Sequence, residues 1–131
     1  MSLPPTPVAP LEIELPAVAG SVHEARHAVA DFCVGHALDH EGIAIAVSEA
    51  VGNAVTHAYS DGTVGAVRVF ADLDLAALLI VVSDDGRGMT PRTDSTGMGV
   101  GLVLIARIAT SLRIDDDSSG TRVTMRFDRR A

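Results

Sequence analysis

Val47-Ser48-Glu49-Ala50-Val51-Gly52-Asn53-Ala54-Val55-Thr56-His57-Ala58-Tyr59 is the stretch on which the fold turns. Val47, Ala50, Val51, Ala54 and Ala58, with Ile43 just before them, recur with a period near 3.6 residues. That spacing predicts a helix from about His40 to Tyr59 with one apolar stripe. Glu49, Asn53 and His57 stand at i, i+4 and i+8 and form a polar row on the side opposite Val47. Such a row fits a solvated helix face. That is the better reading of the row taken alone; the sharper one is the wall of a ligand cleft, where a carboxylate serves as general base and an amide oxygen meets Mg²⁺. Gly52 leans toward the cleft, because a glycine inside a helix costs roughly 1 kcal/mol relative to alanine and suggests a close approach.

Downstream, Leu78-Leu79-Ile80-Val81-Val82-Ser83 reads as a central strand ending at Asp84-Asp85-Gly86-Arg87-Gly88. Asp85-Gly86 is a turn signal, but no second alternating run follows at once, so a simple hairpin is disfavoured. A carboxylate at the mouth of a strand can accept a hydrogen bond from the exocyclic amine of adenine, a contact that guanine cannot make. Gly86 and Gly88 would let backbone approach the base. Gly97-Met98-Gly99-Val100-Gly101-Leu102 then leads into a third helix, expected over about Val100 to Thr110. Glycines feeding a helix N-terminus suit a phosphate, since unpaired amides and the helix dipole both favour an anion. The spacing is not the dinucleotide-binding fingerprint, in which the third glycine comes one residue later and the run follows a strand directly.

Around these motifs the rest of the chain falls into place. Leu11-Glu12-Ile13-Glu14-Leu15 alternates as a half-buried strand, ended by Pro16. A first helix is expected from about Ser21, its N-cap, to Leu38. Strands follow over Ala66 to Asp72 and Ala76 to Ser83, joined through Asp74. After a polar loop from Met89 to Ser95 and the third helix, strands come over Leu112 to Asp115 and Thr121 to Phe127. The order β-α-α-β-β-α-β-β predicts an α+β two-layer sandwich, helices on one face of a mixed sheet. Residues 1–10, rich in proline, read as a flexible arm, and 11–131 as a single domain.

The 131 residues are 47% apolar, enough for one real core. A lone cysteine, Cys33, cannot form an internal disulfide, which points to a reducing compartment and the cytoplasm. No apolar run is long enough to span a bilayer, so no membrane is expected. A net charge of -7 argues against a nucleic-acid surface and leaves a basic protein partner open. All 10 basic residues are arginine. Without lysine, a P-loop site and Schiff-base chemistry are both excluded. Any nucleoside triphosphate must have its phosphates neutralised by Mg²⁺, backbone amides and arginine.

One rival pattern is present. His23-Glu24-Ala25-Arg26-His27 satisfies His-Glu-x-x-His on a helix, the zinc-peptidase motif. The downstream glycine and histidine of its extended form are missing, and little chain precedes it from which to build a cleft. A solvated helix face accounts for these residues, and a zinc hydrolase is the less favoured reading.

Taken in order, the three motifs resemble the nucleotide-binding boxes of the GHKL (histidine kinase-like) ATPase superfamily, above all its small anti-sigma factor serine/threonine kinases. The likeness runs from Leu11 to Phe127. It implies a Bergerat-type ATP-binding fold, with ATP and Mg²⁺ as cofactors. By this likeness Glu49 is the catalytic base, Asn53 the Mg²⁺ ligand and Asp84 the adenine ligand. Gly86 and Gly88 belong to the G1 box, and Gly97, Gly99 and Gly101 to the G2 box at the end of the ATP lid, which is short here. Ser119-Gly120-Thr121 is similar to the family's final Gly-Thr, whose hydroxyl helps hold adenine. Arg26 lies where relatives present an arginine to a partner. The resemblance implies two protein partners: a sigma factor kept from RNA polymerase, and an anti-anti-sigma antagonist phosphorylated on serine or threonine. It leaves a homodimer open. The alternative is a non-catalytic nucleotide-binding interaction module of the same fold.

Overall fold

The computed structural model describes residues 8–58, 65–86, 96–117 and 119–130. The chain runs through β1 (Leu11–Pro16), α1 (Gly20–Cys33), α2 (His40–Asn53), a π-helical segment (Ala54–Ala58), β2 (Ala66–Leu73), β3 (Ala77–Asp84), α3 (Thr96–Ile108), β4 (Ser111–Asp117) and β5 (Gly120–Asp128). The strands form one sheet in the order β1-β2-β3-β5-β4. All four neighbouring pairs are antiparallel, so the sheet is not mixed as expected. The reason lies in the last hairpin. β5 folds back from β4 and inserts beside β3, so β3 and β4 share a direction without touching.

The alternation of the strands is what makes two layers. Val67, Val69, Ala71, Leu78, Ile80, Val82, Val123, Met125 and Phe127 point inward and are buried. They meet Ala25 and Val29 of α1, Ile43, Val47 and Val51 of α2, and Ile105 of α3. The α2 stripe is therefore the core-facing one that its period predicts. α1 packs on α2 and β1, and α2 packs on α3.

Helix ends differ from expectation in three places. α1 stops at Cys33, well short of Leu38, as the chain turns through Gly35 at φ 84°. Ser21 is not its N-cap but a buried first-turn residue whose hydroxyl donates to the Pro16 carbonyl. α2 is capped by Asp39, which accepts the Gly42 amide at 3.0 Å, and after Asn53 its winding loosens into the π segment. Of the β2–β3 turn, Asp74 is the anchor. Its carboxylate accepts the Ala76 and Ala77 amides at 2.7 and 2.8 Å, which hold it below the usual carboxylate range.

Candidate functional site

β3 delivers Asp84 to the end of the sheet with its side chain on the inner face, 6% exposed. Its carboxylate accepts the Gly86 amide at 2.9 Å, closing a tight local turn, and a second backbone amide from Thr121 across the strand pair. Burial nonetheless pushes this carboxyl above its usual range. The two amides pull the other way, while the nearby charges of Asp116 and Asp85 add to the rise. Thr121, also buried, donates its hydroxyl to Asp116 at 3.1 Å.

Gly120 makes this junction fit together. It adopts φ 137°, and a Cβ there would collide with the Asp84 carbonyl oxygen. Just outside, Asp85 is clamped by Arg68 through bonds of 3.0 and 2.7 Å, which hold its carboxyl low. The sequence offered no sign of that clamp, since Arg68 reaches the strand end only through the pairing of β2 with β3.

The second half of the site comes from the helices. α2 and α3 run antiparallel in contact. A Cβ on Gly42 would press on Ile108, and one on Gly101 would stand 2.9 Å from Glu49 Oε2 and 3.2 Å from Asn53 Nδ2. Glu49 and Asn53 are both half-buried, facing α3 rather than open solvent. The close approach that Gly52 suggested falls to Gly101 instead. Among the described residues nothing lies within 4 Å of a Cβ built on Gly52.

Gly97, Gly99 and Gly101 were expected to lead into α3, but lie within its first turns. Each glycine costs a helix about 1 kcal/mol, and the packing of α3 on α2 outweighs that local preference. Gly88 lies outside the described residues, as does the Met89–Ser95 loop. Of His57 only the π-helical backbone is described.

One cavity joins the two halves. Ala50, Asn53 and Ala54 line it from the helix side, Val82, Asp84, Ile114, Thr121 and Val123 from the sheet, and Leu102 from α3. Its volume is about 10 Å³, room for roughly one water. A planar base would need Leu102 or Ile114 to withdraw. Asn53 Nδ2 is buried with no hydrogen-bond partner among the described residues. An amide left so is costly, typically 1–3 kcal/mol, and marks a place a polar ligand would complete.

The Asn53 amide oxygen is a donor of the kind that would suit Mg²⁺, and Glu49 stands one helical turn before it on α2. Among the described residues no group of three or more His, Cys, Asp or Glu side chains could cage a metal alone.

Arg26 lies apart from this cavity, exposed on α1, with Nη2 2.9 Å from His23 Nδ1. The His23 and His27 rings meet edge to face at 4.3 Å. A guanidinium donating to His23 occupies that nitrogen's lone pair and adds positive charge, both opposed to a metal cation there.

The comparisons with known proteins bear on the family and the fold. A family model described as the histidine kinase-like ATPase domain matches residues 15–127. The chain belongs to that family. It is similar to an anti-sigma F factor of Clostridium novyi, 33% identical over 93 residues, which cover 62% of this chain and 65% of that one. An anti-sigma F factor of Clostridium beijerinckii is 29% identical over the same shares. The chain thus spans just under two thirds of the length of the curated relatives it matches. Among solved structures, that of the RsbU and RsbW domains of Rv1364c from Mycobacterium tuberculosis superposes with a TM-score of 0.74 at 26% identity. It covers 95% of this chain and 34% of the other. The histidine kinase domain of a blue-light activated histidine kinase from Erythrobacter litoralis shares the fold, with a TM-score of 0.58 at 22% identity, over 86% of this chain and 61% of that one. No helix among the described residues is long and apolar enough to cross a membrane.

Proposed function

We propose that this chain is a cytoplasmic ATP-dependent protein kinase and anti-sigma factor. In this reading it binds a sigma factor, and it phosphorylates a serine or threonine on an anti-anti-sigma antagonist. The names of its relatives support the partners, and the ATPase family supports the nucleotide. The observation that carries the reading is the single cavity lined by Asn53, Asp84 and Thr121, with Glu49 beside Asn53 on the same helix.

The roles follow from chemistry. Asp84 accepts the adenine amine, and Thr121 stands beside it. Asn53 and the free amides of the first turn of α3 meet the phosphate end, where bound Mg²⁺ would supply the neutralising charge that lysine would otherwise provide. Glu49 orients the incoming hydroxyl and takes its proton as the oxygen attacks the γ-phosphorus. The bond from that phosphorus to the bridging oxygen breaks, and ADP leaves. Arg26, exposed on α1, is a contact for a protein partner.

A second reading is a binding module that holds nucleotide without transfer. It draws on the small cavity and on the Thr121 hydroxyl being engaged by Asp116. Phosphate transfer from labelled ATP to the cognate antagonist separates the two. The wild type should transfer. Glu49→Ala should transfer about 10²–10⁴-fold more slowly while still binding ATP and the sigma factor. Transfer by Glu49→Ala at the wild-type rate removes Glu49 as the base. A wild type that binds ATP yet transfers nothing establishes the module.

A further inference from the structure

Three polar side chains stand in one row across the sheet, and the proposed function uses only two of them. The register pairs Asp84 with Thr121 between β3 and β5, and Thr121 with Asp116 between β5 and β4. Residues two apart on a strand share a face. Val82, Val123 and Ile114, each two positions from one of the three, line the cavity, so the whole row faces inward. Among the described residues Asp116 is not part of the cavity wall. It reaches the cavity through Thr121, whose hydroxyl donates to Asp116 Oδ1 at 3.1 Å. Asp115 beside it points the other way and pairs with Arg113 at 3.1 Å, whereas Asp116 has no ion pair among the described residues.

We propose that Asp116 is a positioning residue for base recognition: by taking the Thr121 proton it makes that hydroxyl a fixed acceptor, and the cavity then reads both N–H groups of an exocyclic amine. This role rests on the nucleotide reading of the cavity and adds to it the means by which an amine is told from a carbonyl.

A threonine hydroxyl has one proton and two lone pairs. Left free it rotates, donating to a carbonyl or accepting from an amine, and so selects neither. With the proton committed to Asp116, only lone pairs remain for a base that enters beside Asp84. The Asp84 carboxylate is itself acceptor-only when ionised, and its lone pairs outnumber the two backbone amides it accepts. Asp84 and Thr121, side by side in the row, thus present two acceptors. An exocyclic amine offers two N–H groups and satisfies both. A carbonyl at the same place sets its own lone pairs against both and satisfies neither. Unpaired polar groups in a buried site are what make it selective. A carboxylate suits the task better than a neutral acceptor, because a charged acceptor holds a hydroxyl proton roughly twice as strongly. Asp116 lies on the edge strand β4 and is exposed, so its charge stays solvated while it holds Thr121.

Calorimetric titration of the full chain with ADP and with inosine diphosphate tests this, since the two differ only along the base edge that carries the amine or the carbonyl. The wild type should prefer ADP by about a hundredfold or more. Asp116→Ala frees the hydroxyl to donate, and the preference should shrink about tenfold. In a Thr121→Val background the same substitution should leave the preference where Thr121→Val alone set it, because no hydroxyl remains to orient. Asp115→Ala, one residue away on the outer face, should keep the wild-type preference. An Asp116→Ala variant whose preference matches the wild type overturns the proposal, including one that loses both nucleotides in equal proportion. So does a shift that persists in the Thr121→Val background, or one that Asp115→Ala reproduces, since either makes charge rather than the hydroxyl the cause. A wild type that binds neither nucleotide overturns the nucleotide reading and this role with it. A wild type that prefers ADP beside an unchanged Asp116→Ala overturns the role alone.

Discussion

The two ends of the cavity are built by opposite means. At the strand end, Asp84, Gly120 and Thr121 are locked by sheet register, and the polar groups there already have partners: two amides on Asp84 and Asp116 on the Thr121 hydroxyl. At the helix end, Glu49 and Asn53 stand against Gly101 with an amide nitrogen buried and unpaired. The first end is locked in place, although a planar base would still need Leu102 or Ile114 to withdraw. The second carries an unpaired N–H donor, which an acceptor such as a phosphate oxygen would satisfy. On the proposed function, specificity would be held by the sheet and chemistry by the helices.

Substitutions that touch one end and spare the other probe this division. Asp84→Asn has the largest expected effect at the strand end. The amide presents a donor where adenine offers one, so ADP affinity should fall by on the order of 2 kcal/mol, about thirtyfold. The preference for ADP over GDP should shrink with it. Calorimetric titration with both nucleotides measures this, and equal affinities in the wild type would remove Asp84 as the base reader.

Gly101→Ala addresses the helix end and should separate stability from rate. Alanine favours a helix over glycine by about 1 kcal/mol, so the melting temperature should hold or rise. The added Cβ, 2.9 Å from Glu49 Oε2, forces the flexible carboxylate aside. Misplacing a catalytic group by a fraction of an ångström should lower phosphate transfer roughly tenfold, with a smaller loss of ADP affinity because the same Cβ stands 3.2 Å from Asn53 Nδ2. A variant that transfers at the wild-type rate would show that α3 does not set the position of Glu49.

These two ends were not equally legible in the sequence. The α2 face was readable because its apolar period is long and clean, and Asp84 because a strand-like run ended with no second strand behind it. What escaped depended on pairing or packing. β5 inserts between β3 and β4 through long-range hydrogen bonds, so a mixed sheet could not be told from an antiparallel one. The bond between Arg68 and Asp85 spans 17 positions and exists only in the register of β2 with β3. Gly52 and Gly101 look alike on paper, both glycines near a helix. Only the packing of α3 on α2 shows that a Cβ on one meets nothing among the described residues and a Cβ on the other meets a carboxylate. The π segment after Asn53 carries no sequence signal that composition or period would reveal.

The smallest expected effect is also the one that tests whether the strand end is built for binding at a cost in stability. Burial raises the Asp84 carboxyl above its ordinary range in the folded chain. Between the ordinary carboxylate pKa and this raised one, the folded state therefore holds a proton that the unfolded state has lost. Stability from this group falls as pH climbs through that interval, and the full penalty persists at neutral pH. Asp84→Asn removes the ionisation, while its amide oxygen can still accept from Gly86 and Thr121. At neutral pH the variant should be at least as stable as the wild type, the advantage fading as the pH falls below the ordinary carboxylate range. Urea unfolding at a series of pH values reads the difference directly. A wild type that instead gains stability relative to Asp84→Asn as pH rises would mean that the two amides outweigh burial, and that the reader carries no such cost.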